Sequence, residues 1–287
     1  PSGGRQRSLT CDLSPTGGQL TEAIESAAPA SDGRLAFEAA SSNIGALFPE
    51  TQGLVLGALA HPAEGQVLLS LPTSSASGRL ISGISQLRWL GQSRLLYLAE
   101  LVVTRRPCDG CELDTVRSGL EANWLALDQP AGSPQLVPGT DFASGVSPGA
   151  SEDEVYYTLA GDVRVYRREL STGEVVVAHD FGAAGIARDV HVSGSHMAAV
   201  VGGRVAFTSD PSLGPVQWDS GGTLHVVDIH NGVDATPSGP GLFRRPQLSP
   251  DGSQLVAEIY PLIITSNGVG TDTIVARAGD LYLLGLQ

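Results

Sequence analysis

The chain of 287 residues contains no lysine: all 17 of its basic residues are arginine, against 30 acidic residues, for a net charge of -13. That balance argues against nucleic acid as a partner, because phosphates require a basic footprint. Electrostatic adsorption to anionic lipid is disfavoured for the same reason. An arginine-only set instead suits planar, bidentate ion pairs. Long apolar runs are also missing. The most apolar stretch, residues 255–264, is interrupted by Glu258 and Pro261 and falls far below the ~20 residues of a membrane-spanning helix. Methionine occurs once, as Met197, and the first residue is Pro1. A processed or truncated N-terminus is therefore expected, from which a signal peptide or anchor has already been removed. Cys11 follows no apolar run and has Thr10 before it, which makes a poor lipid-attachment site.

Glycine and proline are plentiful, at 36 and 18 residues, and hydrophobic residues reach 41%. Strand-like runs separate the turn residues, so the composition fits a turn-rich all-β protein with ample core rather than a disordered one. The stretch RRPQLSPDGSQLVAEIY, residues 244–260, reads as a strand ending at Leu248, a tight turn at Ser249-Pro250-Asp251-Gly252 and a second strand from Leu255. Proline presets the turn angle, aspartate bonds its own backbone and glycine accepts positive φ. Residues 278–286 supply a third strand, and residues 144–177 repeat the plan with a second Ala-Gly-Asp at Ala160, Gly161 and Asp162. Recurrence at this scale predicts a single β-propeller of four-stranded antiparallel blades.

The LSPDG turn at Leu248 to Gly252, with the apolar strand after it, resembles the PD40 (WD40-like) repeats of the TolB-like β-propeller family. So does the strand ending in LSTGE at Leu170 to Glu174. Ser147-Pro148 keeps the turn without the aspartate, Ser31-Asp32-Gly33 lacks the proline, and Ser193-Gly194-Ser195 retains only the turn. The resemblance implies a bacterial propeller in an extracytoplasmic, periplasmic or envelope setting with a binding role, and it brings no catalytic residues. Five blades are visible, at about residues 18–75, 84–139, 140–184, 185–240 and 241–287; six would match TolB-like relatives better. The last blade has three strands before the chain stops, so residues 5–13 are expected to supply its fourth and close the ring. In the first blade the spacing of Leu20, Ala23 and Ile24 fits a helix in isolation, yet its place in the repeat makes it a strand.

Four long insertions, residues 40–52, 104–122, 204–221 and 261–277, fall between the second and third strands of their blades. In a propeller these connections emerge on one face, which marks a candidate binding face. Arg105 and Arg106 in the second insertion and Trp218 in the third are the candidate interface residues, since arginine and tryptophan dominate hot spots. Trp89 and Trp124 are read as core or blade-to-blade packing.

No cofactor or metal is predicted. Cys108-Asp109-Gly110-Cys111 admits a redox dithiol, half a zinc site, free thiols or a tight disulfide. The family's usual setting implies the disulfide between Cys108 and Cys111. Gly145-Val146-Ser147-Pro148-Gly149 matches the G-x-S-x-G pattern of a hydrolase elbow, but a strand rather than a helix follows the turn, so Ser147 is not read as a nucleophile. His191 and His196, like His225 and His230, are five apart and point to opposite faces of a strand, which argues against chelation. These readings together predict a non-catalytic protein-binding propeller, an accessory or scaffold subunit of a larger membrane-associated complex. The alternative is an enzyme, small-ligand or sensor propeller with a site at the channel mouth. That alternative needs convergent polar residues on the innermost strands, where the assignable positions read as mostly apolar.

Overall fold

The computed structural model describes residues 20–43, 51–74, 79–105, 108, 114–128, 133–202, 205–207, 217–219, 222–237, 242–260, 262–266, 272–276 and 280–286. The fold is all-β, with five antiparallel sheets that form the blades of a β-propeller. The chain falls into two compact units, Pro1–Asp141 and Phe142–Gln287.

The first unit holds two sheets. The first runs in sequence order through β1 (Leu20–Pro29), β2 (Arg34–Asn43), β3 (Thr51–Ala58) and β4 (His61–Leu71). β1 is a strand despite its helix-like spacing, because pairing with β2 from Leu20↔Asn43 to Pro29↔Leu35 gives its backbone a full ladder. The second sheet has five strands rather than four: β5 (Thr73–Ser74), β6 (Leu80–Leu90), β7 (Arg94–Arg105), β8 (Asp114–Ala126) and β9 (Gln135–Leu136). Between the sheets lies a core that includes Leu54, Leu69, Ile81, Ile84, Leu87, Leu95 and Leu101. Trp89 joins them as predicted: its Nε1 donates to the Ala28 carbonyl at 2.9 Å, and the Arg34 guanidinium lies 4.6 Å from its ring centre.

The second unit holds three sheets. One is β10 (Ala143–Pro148), β11 (Glu154–Leu159), β12 (Arg164–Glu169) and β13 (Val175–Asp180). The next begins with β14 (Ala187–Ser193) and β15 (His196–Val201), which are followed in the chain by a separate hairpin, β16 (Val205–Phe207) and β17 (Gln217–Asp219). It then continues with β18 (Thr223–Asp228) and β19 (Asp234–Ala235). The last sheet has three described strands, β20 (Leu242–Leu248), β21 (Gln254–Tyr260) and β24 (Asp280–Gly285), interrupted by the hairpin β22 (Leu262–Ser266) and β23 (Asp272–Ala276). The strand expected at residues 5–13 lies outside the described residues.

β15 shows why these strands are apolar on both faces. Met197, Ala199 and Val201 pack toward Tyr156 and Val165 of the sheet before it and Phe181 just beyond β13, while Ala198 and Val200 pack toward Phe243, Leu248 and Leu255 of the sheet after it. A strand between two neighbours has no solvent face, so alternation disappears. Each fully buried valine there contributes about 1.5–3 kcal/mol of transfer free energy.

Where they are described, the four insertions are paired as antiparallel hairpins, between β2 and β3, β7 and β8, β15 and β18, and β21 and β24. β2 and β3 stay paired out to Ser41↔Thr51, and β7 and β8 out to Arg105↔Asp114. β16–β17 and β22–β23 form separate two-stranded ribbons in the second unit. Extending a hairpin adds length while keeping the backbone N–H and C=O groups paired.

Candidate functional site

Strands of both units, β6 in the first and β14 and β20 in the second, carry the same irregularity. In β6, Ser85 opposes Leu98 and Arg88 opposes Leu96, so Gln86 and Leu87 share one partner position. In β14 the register slips between Arg188 and His191, and in β20 between Arg244 and Gln247. These are β-bulges. The leading bulge residues, Gln86, Asp189 and Arg245, have φ of 50°, 49° and 47°. That left-handed conformation is normally left to glycine and costs a residue with a Cβ about 1–2 kcal/mol. The second residue of each bulge, Leu87, Val190 or Pro246, is buried. Proline fits there because a bulge frees it from the donor role that a ladder demands. The device thus buries an apolar side chain and gives its polar predecessor a fixed backbone.

In the second unit two such bulges sit side by side. Asp189 Oδ2 accepts a hydrogen bond from the Arg245 backbone N–H at 3.3 Å, and Arg245 Nη1 donates to Glu258 Oε1 at 3.3 Å. Arg188 donates through Nη2 to the Gly202 carbonyl at 2.8 Å, just after β15, and Arg244 pairs with Glu258 across the β20–β21 ladder. Three arginines and two carboxylates therefore stand at one end of β14 and β20. It is the end from which the β16–β17 and β22–β23 hairpins leave their sheets. Arg245 is well exposed, its side chain at 60%. Such an arrangement can hold an anionic group on arginine while presenting carboxylate acceptors to a donor beside it. Sequence reasoning read the innermost strands as apolar and missed these residues. The available signal was Arg188-Asp189 and Arg244-Arg245, each set immediately before a buried apolar residue.

A second polar cluster lies in the first unit. Glu121 on β8 is fully buried and accepts from Arg79 Nη2 at 2.8 Å and from Asn123 Nδ2 at 3.2 Å. Arg79 also meets Asp141 at 2.5 Å. The Tyr97 hydroxyl, opposite Asn123 across β7–β8, is buried without a partner, and burial together with the Glu121 charge raises its pKa. This cluster has the form of a packed core network rather than an accessible site.

The G-x-S-x-G stretch proves to be blade-to-blade packing. A Cβ on Gly145 would come within 2.8–2.9 Å of Thr158 Oγ1 and the Val190 and Asp189 backbone nitrogens, and one on Gly149 would strike the Glu154 side chain. Ser147 Oγ accepts from the Val192 N–H at 2.8 Å, and in the following blade His191 Nδ1 does the same for the Leu248 N–H at 3.1 Å. The two side chains occupy one repeated position, stitching each first strand to the next. His225 is mostly buried, with Nδ1 at 2.9–3.0 Å from the Asp234 carboxylate, and His230 supplies a backbone N–H to Asp228 at 2.9 Å. Among the described residues, no three His, Cys, Asp or Glu side chains are grouped to hold a metal ion.

The candidate interface residues fall on the hairpins. Arg105 ends β7 opposite Asp114, and Trp218 sits on β17 opposite Ala206. Arg106 and Cys111 lie outside the described residues, while Cys108 is exposed and disulfide-bonded. No described helix is long and apolar enough to cross a membrane.

No family model matches the chain, and no curated protein matches it. Solved structures do. A gluconolactonase from Xanthomonas campestris is similar at TM-score 0.50 and 12% identity, covering 83% of this chain and 84% of that one. A puromycin-hydrolyzing peptidase from Mycobacterium tuberculosis gives TM-score 0.50 and 14% identity, with 90% of this chain spanning 38% of the peptidase. A putative TolB from Agrobacterium tumefaciens gives TM-score 0.49 and 11% identity over 93% and 91% of the two chains. The expectation of a non-catalytic scaffold is corrected by these matches. The gluconolactonase and the peptidase are both enzymes, and at such identities the likeness shows the fold alone, so the fold gives the scaffold reading no support.

Proposed function

We propose that this chain binds a small polar molecule at the hairpin-bearing end of β14 and β20, and that its role is of the small-ligand or enzyme kind. One observation carries the reading: two adjacent first strands each hold a charged, non-glycine residue, Asp189 and Arg245, at positive φ. Backbone conformations of this cost persist where the surrounding structure enforces them, and they cluster at functional sites. The neighbouring Glu258, Arg188 and Arg244 add charge that a packed interface would leave costly to desolvate. The disulfide at Cys108 supports an oxidising, extracytoplasmic compartment for the protein.

The test is a thermal-shift screen of the intact chain against small organic acids, amines and sugars, repeated with Arg245→Ala. A ligand at 100 times its Kd stabilises by about 2.7 kcal/mol, which raises Tm by several degrees at this size. The expected result is a hit whose shift disappears in Arg245→Ala. Hits that all survive the substitution would place binding elsewhere and reject the site.

A further inference from the structure

We infer that Phe142 sets the specificity of this site and that its ligand joins a carboxylate to an aromatic body. The inference rests on the site proposed above and specifies its ligand. Among the described non-glycine residues of the second unit, positive φ occurs at Phe142, with 62°, and at Asp189 and Arg245. Each stands at the start of a first strand: Phe142 immediately before β10, the other two in the bulges of β14 and β20. Phenylalanine has no short polar group to hold that conformation. Packing does not explain it either, because Phe142 is 57% exposed. Backbone strain at a large apolar residue that the core does not bury points to function.

Hydrogen bonds tie Phe142 to the end that carries the charged residues. Its carbonyl accepts from the Ala160 N–H at 2.8 Å, and the nearby Asp162 carbonyl accepts from the Ala187 N–H at 2.9 Å, at the start of β14. Ile186 fills before β14 the position that Phe142 fills before β10, and it too is exposed. The Ile186 carbonyl accepts from the N–H of Gly202, whose own carbonyl is held by Arg188. The rim therefore runs from apolar side chains before β10 and β14 to Arg245 in β20. Arg245 Nη1 is engaged by Glu258, and its other guanidinium N–H groups have no partner among the described residues. They present a planar edge that matches the two oxygens of a carboxylate. An aromatic ring on the same ligand stacks against phenylalanine and removes apolar surface from water. Phosphate also suits arginine, but it brings no such body, and Asp189 and Glu258 repel a dianion more strongly than a monoanion.

Calorimetric titration of the intact protein with acetate, 3-phenylpropionate, phenethylamine and inorganic phosphate tests this, using wild type, Arg245→Ala, Phe142→Gly and Phe142→Asn. Glycine accepts left-handed backbone freely and asparagine tolerates it. Both Phe142 variants should therefore keep or raise Tm, which separates binding from folding. Phenylpropionate is expected to bind at least tenfold more tightly than acetate, phenethylamine or phosphate. Arg245→Ala should weaken it at least tenfold. Both Phe142 variants should bring it down to the level of acetate and leave acetate itself unchanged. Phenylpropionate that is no tighter than acetate, or equally tight without Phe142, overturns the aromatic class while dependence on Arg245 leaves the site standing. Phenethylamine or phosphate binding as tightly overturns the carboxylate class. A fall of Tm in both Phe142 variants assigns Phe142 to the fold and overturns its role. Binding of none of the four overturns the class, and binding indifferent to Arg245→Ala overturns class and site together.

Discussion

Arginine is an improbable occupant of left-handed backbone, since its Cβ meets the following carbonyl and no short polar group repays the cost. Asp189 is easier to place, because aspartate bonds locally and tolerates that region. The turn after β20 uses the same property in the open. Asp251 accepts from Ser249 Oγ at 2.5 Å, from the Ser253 N–H at 3.1 Å and from Ser253 Oγ at 2.8 Å. These bonds favour the charged carboxylate and lower its pKa to about 2, against about 3.9 for free aspartate. With the folded value below the unfolded one, the turn's contribution is complete above pH 4 and fades as pH falls toward 2. A carboxyl NMR titration should place the Asp251 midpoint near pH 2, and a midpoint near 4 would show that the serine bonds do not form in solution. In Asp251→Asn the stability deficit relative to wild type should shrink over the same interval.

Among the elements, the first strands hold adjacent blades of the second unit together through the repeated position filled by Ser147 and His191. Ser147→Ala removes the acceptor for the buried Val192 N–H. A buried donor left without a partner costs about 1–3 kcal/mol. Chemical denaturation should register that loss, while ligand binding at Arg245 stays as in wild type. A change in binding without loss of stability would instead make Ser147 a functional residue rather than a packing one. The strands and the LSPDG turn were legible in the sequence because turn chemistry is local: Pro250, Asp251 and Gly252 act within four residues. The bulges were not. Whether Asp189 breaks the pattern of β14 depends on which residue of β15 it faces, and that register is a property of the pair rather than of either strand. The charged end of β14 and β20 was hidden for this reason, and Arg244-Arg245-Pro246 could be read only as the run-up to a turn. Ser147 is the opposite case: its G-x-S-x-G match was set aside in the sequence because a strand follows the turn, and the two glycines are ones that packing demands.

At the scale of the whole molecule the charge opposes the site. The chain carries -13, whereas Arg188, Arg244 and Arg245 outnumber Asp189 and Glu258 by one positive charge where the ligand is proposed to bind. Which field an approaching carboxylate feels depends on screening. At 10 mM salt the Debye length is about 30 Å, comparable to a domain, and the net negative charge repels the anion from afar. At 150 mM it is about 8 Å, so the distant carboxylates are screened and mainly the arginine cluster remains in range. The association rate of an anionic ligand should therefore rise, by a few fold, between 10 and 150 mM salt. Dissociation should quicken only modestly, because the contact with Arg245 is short-ranged and less exposed to screening. Stopped-flow measurements across that range decide the matter. A rate that falls steadily with salt would mean that local positive charge steers the ligand from the start, in the manner of proteins that bind polyanions, and would reopen the argument drawn from the net charge.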